Sequence, residues 1–153
     1  MNKVFFDLEW NTGFLDGNSF DEIIEIGAVK TDEEYRQIDG FRRLIRPVIY
    51  RKMNPYIQKI LAITMKDLQG EEPLAAVAKV FFDWCGDCDT LIAWSGNDFG
   101  VLEKNLAHIG MKIPEQLGRY DVQMAYAYRT ENSIRNYALK TAVEAMELPE
   151  PEG

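Results

Sequence analysis

The chain is poor in the residues that build metal and redox centres: its 153 residues include one histidine and two cysteines. One histidine and two cysteines are too few for a zinc site made of these residue types. Charged residues interrupt the first segment, so no signal peptide is visible, and no apolar run reaches membrane-spanning length. These absences predict a cytoplasmic protein with no membrane partner.

Positive charge is also scarce, with 17 Lys and Arg against 25 Asp and Glu and a net charge of −8. This balance argues against a protein that coats nucleic acid without specificity. Charge is distributed unevenly along the chain, however. Residues 36–66 contain eight cationic side chains and a single acid, Asp39. This basic segment is either a solvated strand-and-loop surface or a patch that steers phosphates, and the sequence leaves both open.

The pattern of apolar residues predicts one α/β domain. Alternation predicts strands over 3–9, 22–30 and 36–46, which short connections would join as an antiparallel meander. Further elements are predicted in this order: helical turns at 55–61 and 64–68, a helix over 73–84, a strand over 90–94, a helix over 98–109, a strand over 119–122, and helices over 123–129 and 134–146. This order predicts an RNase H-like mixed five-stranded sheet, with three antiparallel strands followed by parallel ones and helices on both faces.

The first predicted strand carries two acids within a hydrophobic run, which is expected to stop at a turn containing Gly13. Asp7 and Glu9 project from the same face, because residues two apart in a strand point the same way. Neighbouring carboxylates repel each other unless a cation lies between them, so the pair is a candidate site for a divalent metal. Acid pairs of this spacing also arise by chance in an acidic chain, and a solvated strand end is the alternative.

The second predicted strand extends this pattern, since residues 25–29 read Glu-Ile-Gly-Ala-Val. The two segments together resemble the DEDD 3′–5′ exonucleases of the DEDDh type, such as RNase T and the DNA polymerase III proofreading subunit. The resemblance covers residues 3–148. It implies an enzyme that hydrolyses phosphodiester bonds at the 3′ ends of single-stranded RNA or DNA, with two Mg²⁺ or Mn²⁺ ions.

The resemblance also implies roles for three acids. Asp7 would bridge both ions, Glu9 would hold the ion that activates water, and Asp98 would complete the coordination of the other ion. Asp98 lies at a predicted strand-to-helix junction, where the family has its second acidic motif. A carboxylate at a helix start is favoured by the free N–H groups in any case, so a purely structural role for Asp98 is the alternative.

The family resemblance further implies that the residues after the acid pair approach the 3′ nucleotide. These residues are Trp10, Asn11 and Thr12. An indole can stack on a base or pack in a protein core, and the sequence leaves both roles open for Trp10.

The family's last motif, His-x-x-x-x-Asp, supplies a general base and a fourth ligand, and it is missing from this sequence. The one histidine, His108, is predicted to be a surface residue far along the helix that begins near Asp98. Asp121 is assigned to a turn or cap, with a position facing the site as the alternative. Residues 1–153 are therefore expected to form a single exonuclease-like domain that is truncated at its C-terminal end and almost inactive. The alternative is a degenerate RNase H-like module for binding or regulation.

Residues 84–88, Trp-Cys-Gly-Asp-Cys, look like the redox motif of thioredoxins. That motif requires a strand before it and a helix after it, so that the helix N-terminus lowers the pKa of the first thiol. Here the predicted order is reversed. Cys85 and Cys88 are therefore expected to be reduced thiols at a helix-to-strand turn.

Overall fold

The computed structural model describes residues 1–123. The elements are β1 (Lys3–Leu15), β2 (Asn18–Thr31), β3 (Gln37–Leu44), α1 (Pro55–Leu61), α2 (Met65–Leu68), α3 (Leu74–Cys85), β4 (Thr90–Ala93), α4 (Gly96–His108) and β5 (Gly118–Asp121). The helices predicted over 123–129 and 134–146 lie outside these residues, apart from Gln123. Within residues 1–123, no helix is both long enough and apolar enough to cross a membrane.

The five strands form one mixed sheet in the order β3-β2-β1-β4-β5. β1 pairs antiparallel with β2, and β2 pairs antiparallel with β3. β4 pairs parallel with β1, and β5 pairs parallel with β4. This topology confirms the predicted sheet of three antiparallel strands followed by parallel ones.

β1 is six residues longer than the predicted strand, which was expected to end at a turn containing Gly13. The chain instead reverses at Asp16 (φ 51°) and Gly17 (φ 81°). Two consecutive residues with positive φ form the tight hairpin turn that suits twisted strands, and Asp-Gly is a favoured sequence for it. Gly13 has a different role, because a Cβ there would lie 2.6 Å from the ring of Tyr50. Gly13 therefore permits a close approach within a continuous strand.

A bulge in β2 separates two adjacent isoleucines. Glu9 pairs with Glu25 and Trp10 pairs with Ile23, so Ile24 has no partner in β1. Ile23 is buried in the main core with α3 and α4, whereas Ile24 belongs to a second cluster with residues of α1, α2 and their flanking loops. The extra residue thus gives each isoleucine its own hydrophobic cluster.

The main core lies between α3, α4 and the sheet face that carries the even-numbered residues of β1. Val4, Phe6 and Leu8 are buried there, and the rings of Phe6 and Phe99 are 5.2 Å apart. Odd-numbered residues of β1 point to the opposite face, which includes Asp7 and Glu9. We call this opposite side the acid face.

Asn105 fixes α4 against β2 and so determines where the start of α4 lies. Its side-chain amide donates to the carbonyl oxygens of Asp21 (2.7 Å) and Val101 (2.8 Å). Its Oδ1 accepts from the backbone N–H of Ile23 at 3.0 Å. The side chain is buried and uses its donors and its acceptor within the fold, so α4 is held in one position.

Cys85 ends α3 and Cys88 lies in the turn before β4, and both thiols are free and buried. Burial raises the pKa of Cys85 to about 12 and also raises the pKa of Cys88. The thiols are therefore protonated and unreactive at neutral pH. The helix-before-strand order confirms the prediction of two reduced thiols at this turn.

Candidate functional site

The candidate site is built on the acid face at the middle of β1. Asp7 lies opposite Gly27 of β2, and Glu9 lies opposite Glu25. The carboxylate of Glu25 accepts from Nε of Arg42 on β3 at 2.7 Å. Glu25 is thus a further acid on this face, and its proximity to Glu9 depends on the pairing register, which the residue pattern of either strand does not show.

Asp98 lies in the first turn of α4, directly after the short strand β4. Because β4 runs parallel to β1, both strands lead in the same direction toward the acids. The next residue, Phe99, packs edge-on against Phe6 of β1 and brings this end of α4 close to the strand. The position of Asp98 at a strand-to-helix junction agrees with the prediction from the sequence.

Asp7 and Glu9 lie close enough to Asp98 for their charges to act on it. Burial, followed by repulsion from Asp7, Glu9 and Asp121, raises the pKa of Asp98 to about 7. The pKa of Asp7 is raised by desolvation and by Glu25, although its side chain is reached by solvent. The pKa of Glu9 is raised by desolvation, then by Asp7 and Glu25. The arrangement therefore concentrates negative charge where partial burial makes that charge costly.

Asp121 is another acid beside Asp98. It ends β5, and its Oδ2 is 3.1 Å from the position that a Cβ on Gly96 would occupy. It also contributes to the raised pKa of Asp98. Asp121 thus faces the site, which the sequence left as the alternative to a turn or cap. Its place at the end of a strand parallel to β4 is the signal that favours this position.

Among residues 1–123, no three His, Cys, Asp or Glu side chains are arranged around a common point at ligand distance. Carboxylates that repel one another are expected to stand apart until a cation draws them together. The nearby donors are carboxylate oxygens, which suit hard divalent cations such as Mg²⁺ and Mn²⁺. The donor chemistry of Asp7, Glu9 and Asp98 therefore fits the metals that the family resemblance implies.

The three residues predicted to approach the 3′ nucleotide have contacts within the protein. Trp10 is half-buried and packs against the main core. The hydroxyl of Thr12 donates to Oδ1 of Asp21 at 2.8 Å. Asn11 is 1% exposed and uses its amide within the fold, as described below. A contact of Asn11 with substrate would therefore involve its backbone, and substrate binding by these residues stays a prediction.

His108 is the last residue of α4, with an exposed side chain whose ring lies 5.8 Å from that of Phe20. It is ten residues from Asp98 along the helix, which corresponds to about 15 Å. This confirms its predicted surface position. His108 is therefore too far away to act as a base for a water molecule at the acids.

The profile of the RNase T exonuclease family matches residues 4–151. The chain belongs to this exonuclease family. The match confirms the family resemblance seen in the acid pair and the second strand. Among curated proteins, the chain is 34% identical over 112 residues to the PolC-type DNA polymerase III of Clostridium perfringens (strain 13 / type A). The matched segment covers 72% of this chain but only 7% of that polymerase.

Solved exonuclease structures share the fold. The nuclease domain of 3′hExo, a DEDDh family member bound to rAMP, aligns with a TM-score of 0.78 and 15% identity, covering 99% of this chain and 82% of that one. E. coli exonuclease I in complex with a 5cy-dA13 oligonucleotide aligns with a TM-score of 0.69 and 17% identity, covering 96% of this chain and 36% of that one. At these identities the likeness establishes the fold.

Proposed function

We propose that this exonuclease domain removes nucleotides from the 3′ ends of single-stranded RNA or DNA with the help of two Mg²⁺ or Mn²⁺ ions. The observation that carries the proposal is the meeting of Asp7, Glu9 and Asp98 on the acid face, where Asp7 raises the pKa of Glu9 and both of these acids raise the pKa of Asp98. Hydrolysis with two hard cations such as Mg²⁺ or Mn²⁺ uses carboxylates gathered in one place, and a structural role for Asp98 alone does not explain this clustering.

Each acid has a role that follows from its position. Asp7 contributes to the raised pKa values of both Glu9 and Asp98, so it is the residue suited to bridge two ions. Glu9 and Asp98 would each complete one side of the site. Bound cations would activate a water molecule and stabilise the departing 3′ oxygen. Glu25 and Asp121 lie near these acids and would increase the affinity for cations through their charge.

The choice of a 3′ end is supported by a solved structure with this fold, that of a 3′-exonuclease with 3′-end-specific recognition of a histone mRNA stem-loop. The solved structures with this fold include an exonuclease bound to rAMP and another bound to a DNA oligonucleotide. Both RNA and DNA therefore stay in the proposal as substrates. The share of the PolC-type polymerase that this chain covers is too small to transfer the activity of that whole protein.

The hydrolytic rate is expected to be low. His108 is the one histidine in the sequence, and it lies at the far end of α4 from Asp98. No histidine is thus placed to take the proton from the attacking water, and general-base catalysis typically contributes a factor of ~10²–10⁴. This observation also favours a second candidate function, in which the domain binds single-stranded nucleic acid without cleaving it.

Digestion of single-stranded oligonucleotides labelled at either end tests the proposal. With Mn²⁺, we expect slow, stepwise loss of nucleotides from the 3′ end, and we expect Asp7→Ala to reduce the loss to background because the bridging carboxylate is gone. The matched control is Asp87→Ala, which removes an exposed carboxylate from the turn after α3, at the opposite end of the sheet.

The outcomes separate the candidates. Loss from the 5′ end, or equal loss with wild type and Asp7→Ala, would contradict the exonuclease proposal. Binding of the oligonucleotide without Mn²⁺-dependent shortening, at enzyme in excess of substrate, would support the binding module instead.

A further inference from the structure

The segment between β3 and α1, residues 46–54, is held against the acid face just beyond Glu9. We propose that this segment, the clamp loop, is a preorganised site for the phosphates of single-stranded nucleic acid, with Arg51 and Lys52 as the main contacts. The proposal rests on the proposed function, because it assigns a binding surface for the strand whose 3′ end lies at the acids.

Glu22 provides the first anchor of the clamp loop. Its carboxylate is 4% exposed and accepts from three consecutive backbone N–H groups, those of Val48 (2.9 Å), Ile49 (2.8 Å) and Tyr50 (3.0 Å). Hydrogen bonds to an ionised acceptor are stronger than those between neutral groups. One buried side chain thus fixes the conformation of three loop residues.

Asn11 provides the second anchor. Its amide donates to the carbonyl oxygen of Lys52 at 3.1 Å, and its Oδ1 accepts from the backbone N–H of Asn54 at 2.8 Å. Asn54 then caps α1 by accepting from the N–H groups of Tyr56 and Ile57. The end of the clamp loop is therefore fixed to β1 on one side and to a helix on the other.

Tyr50 provides the third anchor. Its hydroxyl donates to the carbonyl oxygen of Phe20 at 2.8 Å, and its ring lies over Gly13 so closely that a Cβ there would be 2.6 Å away. Residues 9, 11 and 13 of β1 point to the same face at intervals of about 7 Å. The clamp loop thus covers the two positions that directly follow Glu9 on the acid face.

The anchored segment presents cations that have no acidic partner in the described part of the chain. Arg46, Arg51 and Lys52 are exposed, and no carboxylate within residues 1–123 forms a salt bridge with any of them. Lys3 and Arg42 are paired with acids, whereas Lys79 and Lys104 also form no salt bridge within residues 1–123. The position of the clamp loop beside the acids is therefore what distinguishes its cations. Unpaired positive charge beside a strongly acidic site would counter the repulsion that the site exerts on a phosphate backbone.

Rigidity gives the clamp loop an advantage over a mobile basic segment. Ordering a loop on binding costs conformational free energy, and a loop that is already ordered avoids that cost. Three anchors, two of them buried side chains, hold Arg51 and Lys52 in place before substrate arrives. The clamp loop is therefore positively charged, close to the acids and already ordered. If it were only a solvated surface loop, a buried carboxylate such as that of Glu22 would not be needed to hold it in place.

Fluorescence anisotropy with a labelled single-stranded oligonucleotide in EDTA tests the clamp loop without cleavage. The double variant R51A/K52A is compared with K79A/K104A, which removes the same charge from exposed positions on α3 and α4 at the opposite face of the sheet. For single strands, each lost phosphate contact reduces the slope of the logarithm of the binding constant against the logarithm of the salt concentration by about 0.7. We expect R51A/K52A to bind roughly 10-fold more weakly at 0.1 M salt, with a slope reduced by about 1.4.

A second variant separates position from charge. Glu22→Gln removes a negative charge, so simple electrostatics predicts tighter binding of an oligonucleotide. The clamp-loop proposal instead predicts weaker binding. Gln offers only one accepting oxygen to the three N–H groups of residues 48–50, so the loop that carries Arg51 and Lys52 is held less firmly. Thermal unfolding of the variant verifies that the binding temperature lies below its transition.

The clamp-loop proposal would be wrong if R51A/K52A and K79A/K104A bound the oligonucleotide with equal affinity and with the same dependence on salt concentration. If wild type still shortens oligonucleotides from the 3′ end in that case, the proposed function stands and only the clamp loop is wrong. If wild type neither binds nor shortens any single strand, both proposals fail. Selective loss of affinity and slope in R51A/K52A would support the clamp loop, whatever the rate of hydrolysis.

Discussion

Asp7→Ala is expected to abolish most of the stabilisation that Mn²⁺ gives to the folded protein. A ligand present at 100 times its dissociation constant stabilises the native state by about 2.7 kcal/mol. Asp7 raises the pKa of both Glu9 and Asp98, so it lies where it can share a cation with either acid. Its removal would leave Glu9 and Asp98 without the carboxylate that we propose to bridge them.

Thermal unfolding with and without Mn²⁺ measures this effect. Without metal, Asp7→Ala is expected to be slightly more stable than wild type, because one source of repulsion is gone. Asp87→Ala is the control, since it removes an exposed carboxylate from the turn after α3 and should keep the full response to Mn²⁺. An equal gain for wild type and Asp7→Ala would mean that Asp7 is no ligand.

Asp98→Asn is expected to stabilise the metal-free protein above pH 7. Burial and three neighbouring acids raise the pKa of Asp98 to about 7 from its ordinary value of 3.8. The folded protein therefore holds a proton that the unfolded chain has lost. The contribution of this proton to the free energy of unfolding is fully present below pH 4 and is lost as the pH rises to about 7. A pKa shift of this size corresponds to a change of roughly 4 kcal/mol in the free energy of unfolding.

Urea denaturation in EDTA at pH 5 and pH 8 tests this linkage. The free energy of unfolding of wild type is expected to fall between pH 5 and pH 8. Asp98→Asn carries a neutral side chain at both values, so its free energy of unfolding should fall much less and should be higher than that of wild type at pH 8. Asp87→Asn is the matched exposed control. If Asp98→Asn and wild type show the same pH dependence, the carboxylate of Asp98 does not lie in the acidic environment described here.

The sequence predicts those parts of the site that depend on local geometry. Alternation within β1 places Asp7 and Glu9 on one face, and the junction of β4 with α4 places Asp98 in the first helical turn. Each of these features involves residues a few positions apart, so periodicity is sufficient. The same reasoning correctly gave the reversed order around Cys85 and Cys88.

Contacts between distant segments could not be predicted in this way. The side chain of Asn11 bonds to residues 52 and 54, some forty positions along the chain, and the local pattern around residue 11 does not indicate these partners. The buried role of Glu22 depends on three N–H groups near residue 49. Asp121 reaches the site because β5 pairs in parallel with β4. Pairing register and loop paths, rather than local pattern, determine these positions.

The predicted end of β1 illustrates a different kind of error. Gly13 was interpreted as the turn, although Asp16 and Gly17 form the favoured two-residue hairpin sequence only three positions later. Gly13 instead accommodates the ring of Tyr50. A glycine within a strand often marks a close approach of another group, and the contact with Tyr50 is an example.

The most direct test of the metal site is calorimetric titration with Mn²⁺ at pH 7 in two buffers of different ionisation enthalpy. A ligand must be deprotonated to bind a cation, and Asp98 is about half protonated at this pH. We expect wild type to release at least about half a proton per site filled, and Asp98→Asn to bind more weakly and to lose that release. Binding heats that do not depend on the buffer, or equal proton release by both proteins, would contradict the assignment of Asp98 as a metal ligand.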